Sequence, residues 1–285
     1  MSDKIVVIGA GTMGAGIAQI ALESGFQVIL IDTEQSLVER AIGNIRKLLG
    51  KKVEKGKLTQ AQFDDIFIRL TRGTDLKKAV GGAVMIVEAV FEKLELKKGI
   101  LQVLDALCPS EVILASNTST LSITSLASVT KNPARVIGTH YFSPVPAMRL
   151  VEVIRGRETS DETANKTIEL CKKLGKTPIV VQDIPGFIVN RFLCLIYNEA
   201  ADMINRGDAG AEDIDQAMKL GCNWPMGITE IMDLAGVDVC ANAIGAMYQM
   251  TGEERYKPSP LFERMIAEKK LGRKTGQGFY KYNGK

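Results

Sequence analysis

The chain has 285 residues, of which 46% are hydrophobic and 24% charged, and its formal net charge is +3. This length and composition predict a globular protein of two domains, and the small net charge gives no support for nucleic-acid binding. No apolar run reaches the roughly 18–20 residues that a membrane span needs, so we expect no membrane segment. One histidine and five scattered cysteines argue against a metal site and against disulfides, and they favour a cytoplasmic protein.

Strand-like and helix-like stretches alternate from the N-terminus to about residue 183. The expected strands cover residues 4–9, 27–32, 84–90, 111–116, 135–140, 149–154 and 178–181. Several are continuous aliphatic runs, which is typical of parallel strands covered on both faces by helices. The first strand begins at residue 4, so we expect no targeting peptide. The prediction is an α/β protein with a Rossmann-type, mostly parallel sheet domain over 1–183 and an all-helical domain over 184–285.

The first strand leads into "VIGAGTMGAG", in which Gly9, Gly11 and Gly14 have G-x-G-x-x-G spacing before a helix. This spacing permits a tight turn, a close approach of backbone to a pyrophosphate, and close packing of helix on strand. The N–H groups at the helix start, around Thr12 and Met13, can bind the phosphates. The pattern alone also fits an ordinary turn between a strand and a helix.

The second expected strand ends at Asp32, at the position where a carboxylate can accept hydrogen bonds from a ribose. A 2′-phosphate would be repelled there, and the following "TEQS" supplies no arginine to compensate. Together with the glycine loop, Asp32 predicts dinucleotide binding and favours NAD over NADP.

The segment 37–57, "LVERAIGNIRKLLGKKVEKGK", predicts a basic amphipathic helix. Its apolar stripe is expected to consist of Leu37, Ala41, Ile45, Leu48 and Val53. A second stripe contains Arg40, Asn44, Lys47, Lys51 and Lys55. Such a stripe is either a solvated face or a strip that binds phosphates on a long substrate.

Two further polar stretches follow expected strands, at the edge of the sheet where ligands of open α/β sheets bind. "VEAVFEK" and the residues after it bring Glu92 and Lys97, which line the crevice or form a solvated helix start. "ASNTST" brings Ser116, Asn117 and Ser119, which face the crevice or cap the next helix.

The histidine, His140, ends one expected strand, and Glu152 lies among aliphatic residues in the next. A carboxylate in such a strand costs several kcal/mol to desolvate unless it is paired. The turn "SPVP" allows the second strand to return beside the first, so Glu152 can accept a hydrogen bond from one ring nitrogen of His140. The pair predicts a general acid–base site. Asn190, at the start of the helical domain, could complete a carbonyl-binding site.

The sequence resembles the 3-hydroxyacyl-CoA dehydrogenase family over essentially its whole length, and within it the short bacterial members that act on 3-hydroxybutyryl-CoA. The resemblance rests on the motifs "IGAGTMGAGIAQ", "VEAVFEKLELKK", "ILASNTSTLSIT", "HYFSPVPAMRLVEVI", "PGFIVNR", "MKLGCNWPMG" and "LGRKTGQGFY". The segment from His140 to Glu152, together with "PGFIVNR", is the most specific part, whereas the glycine loop occurs in many families.

The resemblance implies a role for each of four residues at the reacting carbon. The family's catalytic histidine matches His140, and its partner carboxylate matches Glu152. The serine that orients the substrate matches Ser119, and the asparagine that contacts the substrate carbonyl matches Asn190.

The resemblance also implies contacts with cofactor and substrate further from the reaction. Cofactor-binding positions of the family match Glu92, Lys97 and Asn117, and the segment that contacts CoA phosphates favours Lys51 and Lys55. Relatives usually read "HFFNPVP", whereas this chain reads "HYFSPVP", with Tyr141 and Ser143. Ser143 replaces an asparagine that lies close to the cofactor in the family.

The activity that the resemblance implies is reversible, NAD-dependent oxidation of (S)-3-hydroxyacyl-CoA to 3-oxoacyl-CoA. A short-chain substrate such as 3-hydroxybutyryl-CoA, a role in fatty acid and butanoate metabolism, and a homodimer built through the helical domain are implied with it. Two alternatives stay open: a dehydrogenase of free small 3-hydroxy acids, and a non-catalytic dinucleotide-binding protein.

Overall fold

A computed structural model describes residues 3–282 of the chain. Eight strands form one sheet: β1 (Lys4–Ile8), β2 (Gln27–Ile31), β3 (Leu70–Gly73), β4 (Met85–Glu88), β5 (Ile113–Ser116), β6 (Val136–Tyr141), β7 (Leu150–Arg155) and β8 (Thr177–Gln182). Their order across the sheet is β3-β2-β1-β4-β5-β6-β7-β8. Neighbouring strands are parallel except β6 and β7, which are antiparallel, as the turn after His140 predicts.

The chain divides into two compact units after Phe187. The helices of the first unit are α1 (Thr12–Glu23), α2 (Gln35–Glu54), α3 (Gln60–Ile68), α4 (Leu76–Ala79), α5 (Leu94–Leu107), α6 (Ile123–Ala127) and α7 (Asp161–Lys173). The second unit contains α8 (Val189–Arg206), α9 (Ala211–Cys222), α10 (Ile228–Ala235), α11 (Val237–Thr251) and α12 (Pro260–Ala267). Short 3₁₀ turns occur at Pro133–Arg135, Glu254–Tyr256 and Arg273–Thr275. The predicted fold class, a mostly parallel Rossmann-type sheet followed by helices, is confirmed.

The core of the first unit contains the aliphatic strands that the sequence predicts. Strands β4, β5 and β6 are buried along their whole length, because helices cover both faces of the parallel part. Strand β3 is absent from the sequence prediction. Its four residues, "LTRG", include one aliphatic side chain, and the strand forms by pairing with the edge of β2. Hydrophobic periodicity therefore gives no signal for it.

Helix α2 is the basic helix of the sequence analysis, and its core-facing residues differ from the predicted stripe. The buried residues are Val38, Ala41, Ile42, Ile45 and Leu49. The prediction of Leu48 as a core residue is wrong, since its side chain is 50% exposed. Leu49, and not its neighbour Leu48, faces the core. Hydrophobicity alone does not decide which of two adjacent leucines on a helix is buried.

The helical unit has its own apolar core. Residues from α8, α9, α10, α11 and α12 pack together there, with Tyr256 and Phe262 among the largest fully buried side chains. Within residues 3–282, no single helix is both long enough and apolar enough to cross a membrane. Helices α10 and α11 meet that length and composition only when taken together, and they are bent by 99° relative to each other.

Candidate active site

The glycine loop connects β1 to α1, and two of its glycines are required by close packing. Gly9 has φ of +101°, and a Cβ there would lie 2.6 Å from the carbonyl oxygen of Ala89. A Cβ on Gly14 would lie 1.8 Å from the carbonyl oxygen of Gly9. Gly11 differs, because a Cβ there would meet no atom of residues 3–282 within 4 Å. The loop therefore presents open space at Gly11, where a ligand can approach the backbone.

The start of α1 fits a bound phosphate. The N-cap residue is Gly11, and within the described part of the chain no side chain caps this end of the helix. The N–H groups of Thr12 and Met13, in the first turn, are thus available to an anion, which the helix dipole also favours. These features are compatible with a bound phosphate, and phosphate binding by the loop stays a prediction.

Asp32 follows β2 and ties the glycine loop to that strand. One carboxylate oxygen accepts a hydrogen bond from the N–H of Ala10 at 2.7 Å, and the other accepts from the N–H of Thr33 at 2.6 Å. A carboxylate has about four lone-pair positions, so these contacts leave room for a ribose hydroxyl. The contact between Asp32 and a ribose stays a prediction.

Glu92 organises the loop that follows β5. Its Oε1 accepts hydrogen bonds from the N–H groups of Ser119 and Thr120, at 2.8 and 3.1 Å, and from the hydroxyl of Thr118. Burial alone would raise the pKa of Glu92, but these hydrogen bonds and the ammonium of Lys97 lower it below its ordinary value. Thr118, Ser119 and Thr120 of "SNTST" thus bind Glu92. The residue that caps α6 is Ser122.

Lys97 is fully buried, which contradicts the solvated helix start considered for it. Its Nζ lies 2.8 Å from Oε1 of Glu88, 3.3 Å from Oε2 of Glu92 and 3.2 Å from the carbonyl oxygen of Asn117. Ser116 is also fully buried and donates to Glu88 at 2.6 Å, so its expected position facing the crevice is wrong. A direct contact between Lys97 and a cofactor stays a prediction.

Glu88 is missing from the sequence-based candidates. It has the same signal as Glu152, because it ends the aliphatic run "VMIVE" and so requires a buried partner. Applying the argument for buried carboxylates to every strand would have identified Glu88 as well.

His140 and Glu152 form a buried pair at the carboxyl end of β6. They occupy opposed positions in the antiparallel ladder, and Nδ1 of His140 lies 2.7 Å from Oε2 of Glu152. His140 is 5% exposed and Glu152 is completely buried. The ring of Phe142 lies 4.4 Å from the His140 ring, and that of Phe187 lies 5.9 Å away. These contacts hold the imidazole in one orientation, so it can exchange a proton through Nε2.

The two departures from the family's "HFFNPVP" lie in different environments. Tyr141 adjoins His140 in β6, so its side chain points to the opposite face of the sheet, where it is buried. Burial, together with the nearby Cys171 thiol, raises the pKa of Tyr141 well above its ordinary range. Ser143 is exposed on the loop between β6 and β7, before a cis peptide bond to Pro144. Its contact with a cofactor stays a prediction.

Asn117 connects the loop after β5 to the strand that carries His140. Its Oδ1 accepts a hydrogen bond from the N–H of Tyr141 at 3.1 Å. Ser119 is exposed in the same loop.

The remaining predicted substrate contacts lie outside this loop. Lys51 lies on the exposed face of α2, and Lys55 is the C-cap residue of that helix. Asn190 lies in the first turn of α8, in the helical unit.

Two family models match the chain, one for each part. The NAD-binding domain of 3-hydroxyacyl-CoA dehydrogenase matches residues 4–184, and the C-terminal domain of the same family matches residues 186–282. The NAD cofactor inferred from the glycine loop and Asp32 agrees with the first model.

Curated relatives and solved structures match over the full chain. A protein of Deinococcus radiodurans named "Probable 3-hydroxybutyryl-CoA dehydrogenase" is 46% identical, over 98% of this chain and 100% of that protein. The 3-hydroxybutyryl-CoA dehydrogenase of Clostridioides difficile is 42% identical, over 98% and 99%. The crystal structure of (S)-3-hydroxybutyryl-CoA dehydrogenase from Ralstonia eutropha superposes with a TM-score of 0.96 at 40% identity and covers both chains completely. The chain therefore belongs to the 3-hydroxyacyl-CoA dehydrogenase family, whose NAD-binding and C-terminal domains it carries in that order.

Proposed function

We propose that this chain catalyses the reversible, NAD-dependent oxidation of (S)-3-hydroxyacyl-CoA to 3-oxoacyl-CoA, with a short acyl chain such as 3-hydroxybutyryl. The observation that carries the proposal is the buried hydrogen bond between His140 and Glu152 at the carboxyl edge of the sheet. Family membership supplies the substrate class, and the relatives named for 3-hydroxybutyryl-CoA supply the short chain length.

His140 acts as the acid and base in this proposal. Nδ1 is engaged by Glu152, so Nε2 takes the proton of the substrate hydroxyl during oxidation and returns it during reduction. The carboxylate of Glu152 fixes the tautomer of the ring and stabilises the imidazolium that forms. When bound, NAD supplies the hydride acceptor for oxidation and, in its reduced form, the hydride donor.

Ser119 and Asn190 orient the substrate oxygen on which charge develops, a preorganised electrostatic role. Support for Ser119 comes from its loop, because Glu92 binds the N–H groups of Ser119 and Thr120 and so fixes the backbone there. Support for Asn190 is the match of "PGFIVNR" to the family. Lys51 and Lys55, exposed on and beyond α2, attract the phosphates of CoA.

We also propose a cytoplasmic homodimer. Large apolar side chains are exposed on the helical unit, among them Phe192 at 62%, Leu220 at 82% and Leu234 at 54%. The support for the proposal is that a second copy packed on this unit would remove these side chains from water. Light scattering of the purified chain tests the homodimer, and a monomer at micromolar concentration would contradict it.

A substrate comparison tests the proposed function. Oxidation of NADH is followed at 340 nm with acetoacetyl-CoA, with a longer 3-oxoacyl-CoA, and with free acetoacetate, and each reaction is repeated with NADPH. We expect the highest kcat/KM for acetoacetyl-CoA with NADH. A higher kcat/KM for free acetoacetate would favour the dehydrogenase of small 3-hydroxy acids. NADH binding without turnover of any of these substrates would favour a non-catalytic protein.

A further inference from the structure

We propose that Glu88 is a positioning residue for the nicotinamide half of the cofactor, acting through Lys97 on Glu92 and on the loop 117–120. The inference rests on the proposed function, because it assumes that the reactive end of NAD faces His140. Glu88 does not reach the crevice itself, since it is completely buried. Its influence therefore passes through the groups that it holds.

Glu88 ends β4 and lies beside Ser116, the last residue of β5. Its Oε1 accepts hydrogen bonds from the N–H of Val90 at 2.7 Å and from Lys97 at 2.8 Å, and its Oε2 accepts from Ser116 at 2.6 Å. Burial raises the pKa of Glu88, whereas Lys97, Ser116 and the N–H of Val90 oppose that rise. A carboxylate in such a place is tolerated because each of its oxygens is bound.

Lys97 joins three segments of the chain. Its ammonium carries three protons, and three acceptors surround it: Glu88 from β4, Glu92 from the turn before α5, and the carbonyl of Asn117 after β5. Without Glu88, the ammonium would lose its nearest carboxylate in a fully buried position. It would then move towards Glu92, the remaining carboxylate, and compete with the loop for it.

Glu92 and Asn117 transmit the arrangement to the crevice. Glu92 binds two N–H groups of the loop that carries Ser119. The side chain of Asn117 accepts a hydrogen bond from the N–H of Tyr141, the residue after His140. A continuous set of contacts thus runs from Glu88 to the backbone beside the proposed acid–base residue.

The strand order gives the direction of the cofactor. The glycine loop follows β1, with β2 on one side and β4, β5 and β6 on the other. A dinucleotide with its pyrophosphate at α1 and its adenosine ribose at Asp32 must extend its nicotinamide half over β4 to β6. Glu88, Glu92 and Asn117 lie at that edge, where β4 and β5 end.

Four variants test the proposal: Glu88→Gln, Lys97→Met, the double variant, and Asp105→Asn as a matched control. Asp105 forms a buried ion pair with Arg135. This pair lies at the amino ends of the strands, opposite the carboxyl ends that border the crevice. Asp105 is in the last turn of α5, which leads into β5, and Arg135 directly precedes β6. The control therefore disrupts a buried ion pair of the same unit, away from the cofactor crevice.

The measurements are the Kd for NADH by fluorescence titration, the Tm, and the KM for acetoacetyl-CoA. We expect Glu88→Gln to raise the Kd for NADH by about tenfold or more. The KM for the thioester should rise as well, because Glu92 also binds the loop that carries Ser119. Asp105→Asn should lower the Tm and leave the Kd for NADH within about twofold of the wild-type value.

The double variant separates positioning from plain stability. Removing both charges of a buried ion pair is often neutral for folding, so its Tm should recover towards the wild-type value. Its Kd for NADH should stay raised, because the ammonium that joins Glu92 to the carbonyl of Asn117 is then absent. Recovery of the wild-type Kd in the double variant would overturn the proposal, and so would an equal rise in Kd in the Asp105 control. If Glu88→Gln does not fold, Glu88→Asp is titrated instead, because it keeps the charge but draws the carboxylate back from Lys97, and an unchanged Kd for NADH in that variant would overturn the proposal.

The titration contains no thioester, so it distinguishes failure of this inference from failure of the proposed function. A chain that binds NADH in a Glu88-dependent manner but does not reduce acetoacetyl-CoA would contradict the proposed function alone. If the wild-type chain reduces acetoacetyl-CoA and the Glu88→Gln variant binds NADH with the wild-type affinity, the inference alone is contradicted.

Discussion

Replacing Glu152 with glutamine isolates the electrostatic part of the proposed acid–base pair. Glutamine has the same shape and can still accept a hydrogen bond from Nδ1 of His140, but it carries no charge. The wild-type contact is 2.7 Å long and both side chains are buried, so solvent screens it little. The variant should therefore fold and bind NADH, and lose stabilisation of the imidazolium.

The size of the loss follows from that geometry. Hydrogen bonds to charged groups contribute about 1.5–3 kcal/mol, and two unit charges 4 Å apart attract each other by about 4 kcal/mol at an effective dielectric constant near 20. A net loss of about 2–4 kcal/mol corresponds to a decrease in kcat of about 30- to 1,000-fold. We expect this decrease for acetoacetyl-CoA reduction, and a Kd for NADH within about twofold of the wild-type value.

The assay measures kcat with saturating acetoacetyl-CoA and NADH at 340 nm, beside an NADH titration of the same sample. Asp105→Asn is a suitable control, because it disrupts a buried ion pair far from His140 and should retain kcat. A Glu152→Gln enzyme with kcat within about threefold of the wild-type value would refute the role given to the pair, since so small a change lies below the estimate for a charged hydrogen bond.

Three further outcomes are expected elsewhere in the NAD-binding unit. Gly14→Ala should lower the Tm by several degrees and weaken NADH binding, because its Cβ would lie 1.8 Å from a loop carbonyl, whereas Gly43→Ala, with no neighbour among the described residues within 4 Å, should do neither. Replacing Lys51 and Lys55 with glutamine should raise the KM for acetoacetyl-CoA, most at low salt, and leave the Kd for NADH unchanged; an unchanged KM at low salt would assign both lysines to a solvated face. Glu92 has a pKa below its ordinary value of 4.5, so its contribution to stability is present above that pH and is lost as the pH falls through the lower folded-state pKa. Glu92→Gln should therefore show a smaller loss of Tm on acidification below about pH 4.5 than the wild type, and an equal loss would contradict the lowered pKa.

The contact between His140 and Glu152 could be predicted from the sequence because two independent constraints coincide. A carboxylate in an aliphatic strand requires a partner, and "SPVP" between two strand-like runs returns the second beside the first. The structure contains that contact, with the two residues directly opposed in the ladder. The catalytic role of the pair stays a prediction.

The environment of Lys97 could not be predicted in the same way. Its burial depends on two acceptors, the carboxylate of Glu88 at the end of β4 and the carbonyl of Asn117 after β5. The two strands are neighbours in the sheet, but these residues are 29 positions apart in the chain. Amphipathic periodicity describes a helix surface and does not report such long-range partners. Strand β3 could not be predicted for a related reason, because it forms by pairing with β2 and has little hydrophobic pattern of its own.

Replacing His140 with asparagine tests the central claim most directly, since proton transfer at this residue is the step that the proposed mechanism assigns to the protein. The variant is compared with the wild type in single-turnover reduction of acetoacetyl-CoA by bound NADH, after its Kd for NADH has been measured. We expect near-normal NADH affinity and a rate lower by about 100-fold or more. A His140→Asn enzyme that reduces acetoacetyl-CoA at the wild-type rate would contradict the account.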